Sequence, residues 1–256
     1  MHDNTGNEVL TARNLIKRFG ALVACNNISY ALRQNEVASI IGPNGAGKTT
    51  FFNLITGLYQ PDSGHVFFQG RDVTRSSPQS KVRLGIVRTF QLSSTFDNLR
   101  VIDNFRVACY LKQRQCRVSV LGMCLTNLAR VQDEAMDRIM EALDFKKLAY
   151  SEVSKLSLGD KRRLEIAMAI IGEPKVLLLD EPFAGLSEME IGSIVEVLKE
   201  QCVRKMSILI IEHKITWLKG LVDRVSVLVD GRIIVDGTYE DALDSVETRK
   251  SYWKIG

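Results

Sequence analysis

No stretch of this sequence approaches the roughly 18 consecutive apolar residues that a membrane-spanning helix requires, and residues 1–9 are polar, without the apolar core of a secretion signal. The expectation is a chain soluble by itself, able to serve a membrane only through other chains. Cysteine is sparse and unpatterned: Cys25, Cys109, Cys116, Cys124 and Cys202 form no CxxC pair, have no histidine cluster beside them and are odd in number. That argues against a zinc site and a closed disulfide framework, and fits reduced thiols in a cytosolic protein. A surplus of one charge sign is missing too. The 34 basic residues face 30 acidic ones, a net of +4, too mild to call for a nucleic-acid partner. Internal repeats, low-complexity tracts, long linkers and sustained heptads are also absent, which removes solenoid and coiled-coil architectures.

What is present is enough apolar residue, 45% of the chain, to build a core. Residues 9–32 read as two short strand segments around a turn at Phe19-Gly20, and 36–41 (EVASII) as a buried strand that runs into a glycine-rich loop. A helix is expected to start at Lys48, and 61–73 to hold a turn and a short apolar strand. Strand patterns vanish over about 92–159, where Val131, Ala135, Ile139 and Leu143 recur at four-residue steps beside Met136 and Met140. This spacing predicts a helical subdomain whose methionine stripe is packing surface. Strand signals return at 176–179, 207–211 and 225–229 with a helical stretch at 188–200, an alternation that implies a parallel sheet. Asp230-Gly231 reads as a hairpin turn, and Thr238 with Asp241 as a capping box opening a C-terminal helix.

Gly42-Pro43-Asn44-Gly45-Ala46-Gly47-Lys48-Thr49 fits G-x-x-x-x-G-K-[ST], with Thr50 following and a strand before it. Glycines let successive backbone N–H groups turn inward on phosphates, and the helix N-terminus adds its dipole. Lys48 brings a point charge to the outer phosphates, and Thr49 a hydroxyl suited to Mg²⁺. The loop alone leaves kinases, GTPases, recombinases and motors open.

The run Val176-Leu177-Leu178-Leu179-Asp180-Glu181 is an apolar strand ending in adjacent carboxylates. In an α/β sheet its carboxyl end lies beside the phosphate loop. Asp180 is the expected Mg²⁺ partner, and Glu181 is placed to orient and deprotonate the attacking water. Pro182 fixes the turn after them, against a reading of two carboxylates merely ending a strand in solvent.

From these motifs the chain resembles the ATP-binding subunits of ATP-binding-cassette (ABC) transporters, over about residues 10–237. The resemblance implies an α/β fold of P-loop NTPase type, with a mostly parallel core sheet, an antiparallel β subdomain and an inserted α-helical subdomain. It implies a single domain over 1–256: a nucleotide-binding core at about 10–91 and 160–237, a helical subdomain at about 92–159, and a C-terminal helix and tail at 238–256. Phe19 matches the aromatic that stacks on adenine, Gln91 the glutamine that senses Mg²⁺ and the permease, and His213 the histidine at the γ-phosphate. Core filling for Phe19 and a structural role for His213 compete with those roles. Leu156-Ser157-Leu158-Gly159-Asp160 matches the signature segment, in which Ser157 and the Gly159 backbone reach the nucleotide of a second subunit. The implied cofactors are ATP and Mg²⁺. The implied partners are a second ABC ATPase subunit, identical or not, two membrane-spanning permease subunits and, indirectly, an extracytoplasmic substrate-binding protein. The implied place is the cytoplasmic face of the cell's inner membrane, held there peripherally through the permeases.

The family's usual signature is LSGGQ; here Leu158 and Asp160 depart from it. Leu158 is expected to restrict torsions open to glycine, and Asp160 to place a negative charge near a triphosphate. Lys161-Arg162-Arg163 either offsets that charge or forms a solvated helix face. Ser187 stands where the family commonly has Asp or Asn. The segments IVRTFQ (86–91), RRLEIA (162–167) and IIEH (210–213), added length at about 110–130 and Tyr252 resemble the subgroup that imports branched-chain and other hydrophobic amino acids. Urea and short-amide importers and the lipopolysaccharide-exporting ATPase are close to the same pattern. Residues 92–106 are expected to line the permease groove. Lys112, Arg114 and Arg117 read as lipid-facing or as plain solvated surface. A soluble non-transport cassette ATPase would carry two cassettes, coiled coils or a basic segment, and a GTPase an NKxD motif; none is found.

Overall fold

A computed structural model of the chain describes residues 7–89, 95–114, 133–203, 206–246 and 248–249. Gln91, Val131, Cys116, Cys124, Tyr252, most of 110–130 and the side chains of Arg114, Arg117 and Cys202 lie outside the description. The chain divides into two compact units, residues 1–88, 175–182 and 202–256, and residues 89–174 and 183–201.

The first unit holds two sheets. In one, β1 (Glu8–Phe19), β2 (Leu22–Arg33), β4 (Ser63–Phe68) and β5 (Arg71–Asp72) pair antiparallel in the order β2-β1-β4-β5. The expected two short segments are in fact two 12-residue strands, paired throughout with register shifts. Asn14 and Asn27 adopt positive φ (52° and 62°) and bond to one another, Nδ2 to Oδ1, at 3.0 Å. Asparagine tolerates that conformation, and each irregularity shifts the phase of alternation, so a long strand reads shorter than it is.

The second sheet has the order β10-β9-β3-β8-β7-β6, from β3 (Val37–Ile41), β6 (Ile86–Arg88), β7 (Val176–Asp180), β8 (Ser207–Glu212), β9 (Arg224–Val229) and β10 (Arg232–Gly237). Only β10 runs antiparallel; the other neighbours are parallel. Every residue of β3, β7 and β8 is buried, as parallel strands covered on both faces require. Ile41 pairs with Glu212 and Asp180 with Ile211, so β3, β7 and β8 end at one edge. Helix α1 (Lys48–Thr56) buries Phe51, Phe52, Leu54 and Ile55 in the core and closes at Gly57. Helix α2 (Pro78–Leu84) precedes β6, and α7 (Tyr239–Asp244) opens with the expected capping box of Thr238 and Asp241. Arg224 clamps the unit from inside, bonding Glu36 at 2.8 Å and Asp236 at 2.6 Å with its guanidinium over Tyr30.

The second unit contains α3 (Val101–Arg114), α4 (Glu134–Ala142), α5 (Leu158–Ile171) and α6 (Glu188–Val203). Met136, Ile139, Met140 and Leu143 are buried, so the described stripe is packing surface. Lys112 is engaged within the unit, with Asp133 at 3.3 Å and Glu173 at 2.8 Å, which opposes a lipid-facing role for it. Cys25 and Cys109 are buried free thiols, raised by burial to about 12 and about 11 and therefore unreactive.

Candidate nucleotide site

The loop after β3 is packed against neighbouring backbone at Gly42 and Gly47, where no side chain has room. Gly47 has φ +104°, and a Cβ there would lie 2.2 Å from the Ala24 carbonyl oxygen; one on Gly42 would lie 2.1 Å from that of Leu228. Close packing thus forces glycine at both places, and at Gly47 the left-handed torsion requires it as well. Asn44, Gly45 and Thr49 are exposed, Pro43, Gly47 and Thr50 are half-buried, and Ala46 anchors the loop in the interior. Lys48 is 6% exposed, and its Nζ donates to the carbonyls of Gly42 (2.6 Å) and Pro43 (2.9 Å). Burial lowers its pKa, against the opposing charges of Glu181, Asp180 and Glu212.

A cleft of about 280 Å³ runs from Phe19 and Leu22 past Lys48 and Thr49 to Glu181 and His213. Phe19 is 44% exposed, which removes core filling as its role; the edge-on ring of Tyr59 at 5.4 Å and Lys17 at 5.7 Å hold it. A larger groove of about 1080 Å³ follows 60–65 on the antiparallel sheet, but none of the phosphate-loop residues lines it.

Asp180 closes β7 fully buried, and Glu181 takes φ +49° with its N–H bonded to the Ile211 carbonyl at 2.9 Å. A left-handed glutamate before proline is an uncommon backbone state, of the kind held at functional sites by their surroundings. It turns the carboxylate so that Oε1 lies 2.6 Å from Nε2 of His213, the first residue after β8. The arrangement can orient a water and accept its proton, beside a lysine and a hydroxyl-bearing helix start suited to phosphate.

Sequence reasoning left Arg88 as part of a subgroup pattern. Its guanidinium reaches Asp180 at 2.5 Å and Asn53 at 2.6 Å. The one available signal was a charged residue ending a short strand next to the apolar run at 176–180. Tyr59, which backs Phe19, carried no motif.

The signature-like segment belongs to the second unit. Ser157 caps α5: its Oγ accepts the Asp160 N–H at 3.0 Å and donates to the Asp160 carboxylate at 2.7 Å. Arg163 pairs with Asp160 and offsets its charge, while Lys161 pairs with Asp97 and Arg162 with Glu165. The restriction expected of Leu158 does not materialise. It occupies the first turn of α5 outside the positive-φ region, 80% exposed, where any L-residue fits. Ser187 and Glu190 exchange bonds at the start of α6 in the same capping fashion.

The family described as ABC transporter matches residues 25–184. The chain is 37% identical over 250 residues to the high-affinity branched-chain amino acid transport ATP-binding protein LivG of Salmonella typhimurium, covering 95% of this chain and 97% of the relative. It is 35% identical over 245 residues to a probable LivG of Archaeoglobus fulgidus, covering 96% and 95%. Among solved structures, a nucleotide-free ATP-binding cassette from an ABC transporter superposes with TM-score 0.79 at 28% identity, covering 97% of this chain and 99% of that one. The ADP conformation of such a cassette gives TM-score 0.79 at 28% identity, covering 96% and 98%. The phosphate loop, the paired strand ends and these likenesses over nearly the whole chain together lead to one conclusion: the chain belongs to the ABC transporter family and is one of its nucleotide-binding ATPase subunits.

Proposed function

We propose that this ATPase energises import of branched-chain or other hydrophobic amino acids, as one of a pair of cassettes beneath two permease subunits at the cytoplasmic face of the membrane. The observation that carries the hydrolytic part is the 2.6 Å contact of Glu181 with His213 at the cleft that also contains Lys48 and Thr49. Glu181 accepts the proton of the attacking water, and His213 holds that carboxylate in place and faces the terminal phosphate. Lys48 exchanges its loop carbonyls for phosphate oxygens, a gain because an anionic acceptor replaces neutral ones for the same ammonium. Phe19, steadied by Tyr59, stacks on the base. Ser157 and the Gly159 backbone act on the nucleotide held by the second subunit, so closure of the pair on ATP and its reopening supply the stroke.

Mg²⁺ fits the donors present. Among the described residues no group of three or more His, Cys, Asp and Glu side chains forms a metal cage. The Thr49 hydroxyl and the Asp180 carboxylate are hard oxygen donors of the kind Mg²⁺ takes together with nucleotide phosphates. When bound, the cation would share the charge of the phosphate oxygens. Gln91 is assigned to the same cluster on the resemblance alone.

The transport reading is supported by the likeness to LivG proteins over nearly the full chain. Among the described residues no helix is long and apolar enough to cross a membrane. The test is affinity capture of tagged Glu181→Gln protein with ATP from detergent-solubilised membranes, followed by reconstitution and uptake of labelled branched-chain amino acids. Two multi-span chains, a second cassette and ATP-dependent uptake are the expected result; recovery of soluble partners alone overturns it.

A further inference from the structure

Arg88 ends β6, the edge strand beside β7, and its side chain is 6% exposed. Its head is held on both the strand side and the helix side. Nη2 lies 2.5 Å from Oδ2 of the fully buried Asp180, Nη1 donates to Oδ1 of Asn53 at 2.6 Å, and the guanidinium lies 5.4 Å from the ring centre of Phe52. Asn53 stands four residues after Thr49 on α1, one helical turn along the same face. Arg88 therefore spans from the helix that carries the Thr49 hydroxyl to the strand that carries the Asp180 carboxylate.

A carboxylate turns easily about its last torsion, which has broad minima. An anchored oxygen removes that freedom, and a guanidinium bonded at both Nη1 and Nη2 and placed over an aromatic ring is a rigid anchor. We propose that Arg88, braced by Asn53, is a positioning residue that sets the orientation of Asp180 and its distance from Thr49, and thereby the affinity of the site for a divalent cation on bound nucleotide. The inference rests on the reading of Asp180 as the cation's protein ligand. Lysine could replace the charge but not the fork, since one ammonium cannot keep both the Asp180 and Asn53 bonds at these positions.

The experiment titrates Mn²⁺ by electron paramagnetic resonance into the full-length protein with a non-hydrolysable ATP analogue, and measures binding of the same analogue in EDTA. Arg88→Met is expected to weaken Mn²⁺ about tenfold, the loss typical when a ligand's supporting partner is removed, while EDTA binding stays within about twofold of the parent. Arg88→Lys is expected to fall between parent and Arg88→Met. Asn53→Ala, which keeps the Arg88–Asp180 pair and so remains informative if Arg88→Met does not fold, should weaken Mn²⁺ in the same direction but less. Parallel loss of EDTA binding would make Arg88 a packing residue and overturn the proposal. Unchanged Mn²⁺ affinity in Arg88→Lys and Asn53→Ala, with a clear loss in Asp180→Asn, would overturn it while leaving the Asp180 reading intact. Unchanged affinity in Asp180→Asn would remove the reading beneath it.

Discussion

The Nε2 atom of His213 lies 2.6 Å from Oε1 of Glu181, so the first residues beyond β8 and β7 meet at the mouth of the nucleotide cleft. Removing the base should cost more than removing its partner. Glu181→Gln is expected to lower ATP hydrolysis by about 10²-fold or more, the usual worth of a general base, with ATP still bound. His213→Ala should lower it less, because Glu181 keeps its place through its backbone bond to Ile211. Phosphate release by the assembled complex checks both; hydrolysis by Glu181→Gln at the parent rate would disprove the assignment.

Glu181 also has φ +49°, and a left-handed backbone costs an L-residue about 1–2 kcal/mol relative to glycine. Glu181→Gly should therefore be as inactive as Glu181→Gln yet unfold at an equal or higher temperature. Differential scanning calorimetry of the two variants decides it, and a lower midpoint for the glycine variant would mean that side-chain packing at position 181, not its backbone torsion, dominates local stability.

Ser157 has one hydroxyl proton, and in this structure it goes to Asp160. Asp160→Asn keeps an oxygen to accept that bond but removes the charge, so the ATP-bridged pair should form at several-fold lower ATP in a Glu181→Gln background. Light scattering against ATP concentration measures this. An unchanged midpoint would show that the ion pair with Arg163 already neutralises Asp160.

Lys81 is fully buried against the last turn of α1, its Nζ on the carbonyls of Ile55 (2.7 Å) and Leu54 (3.3 Å). Burial lowers its pKa from 10.5 to about 8, opposed by the charge of Asp72. Between those values the unfolded chain binds the proton and the folded one does not, so this group makes stability rise with pH from about 8 to 10.5 and contributes no slope below that window. Denaturant unfolding across pH 7–10.5 should show this slope in the parent and a flatter profile in Lys81→Met; identical profiles would mean Lys81 titrates as an exposed lysine does.

Much of the site was readable because its chemistry is local. The glycine spacing and Lys48 lie within one loop, and Asp180 and Glu181 end one apolar run whose composition demands burial. The parallel sheet followed from the alternation of strands and helices, and its geometry brings the ends of β3, β7 and β8 together. By contrast, the two long strands of the antiparallel sheet read as short segments because Asn14 and Asn27 interrupt the alternation, and α2 and β6 were too short to announce themselves.

The sequence by itself thus determined the fold class, the phosphate loop and the pair of carboxylates, since each rests on residue types at fixed short separations. Tertiary structure alone decided that Arg88 holds Asp180, that His213 touches Glu181, that Asp160 takes the Ser157 proton and that Lys112 faces Asp133 and Glu173. Those contacts join side chains from different elements, or depend on the rotamer chosen within a helical turn. Neither composition nor periodicity carries that information, because both describe a residue's own neighbourhood along the chain rather than the direction its side chain takes in the packed core.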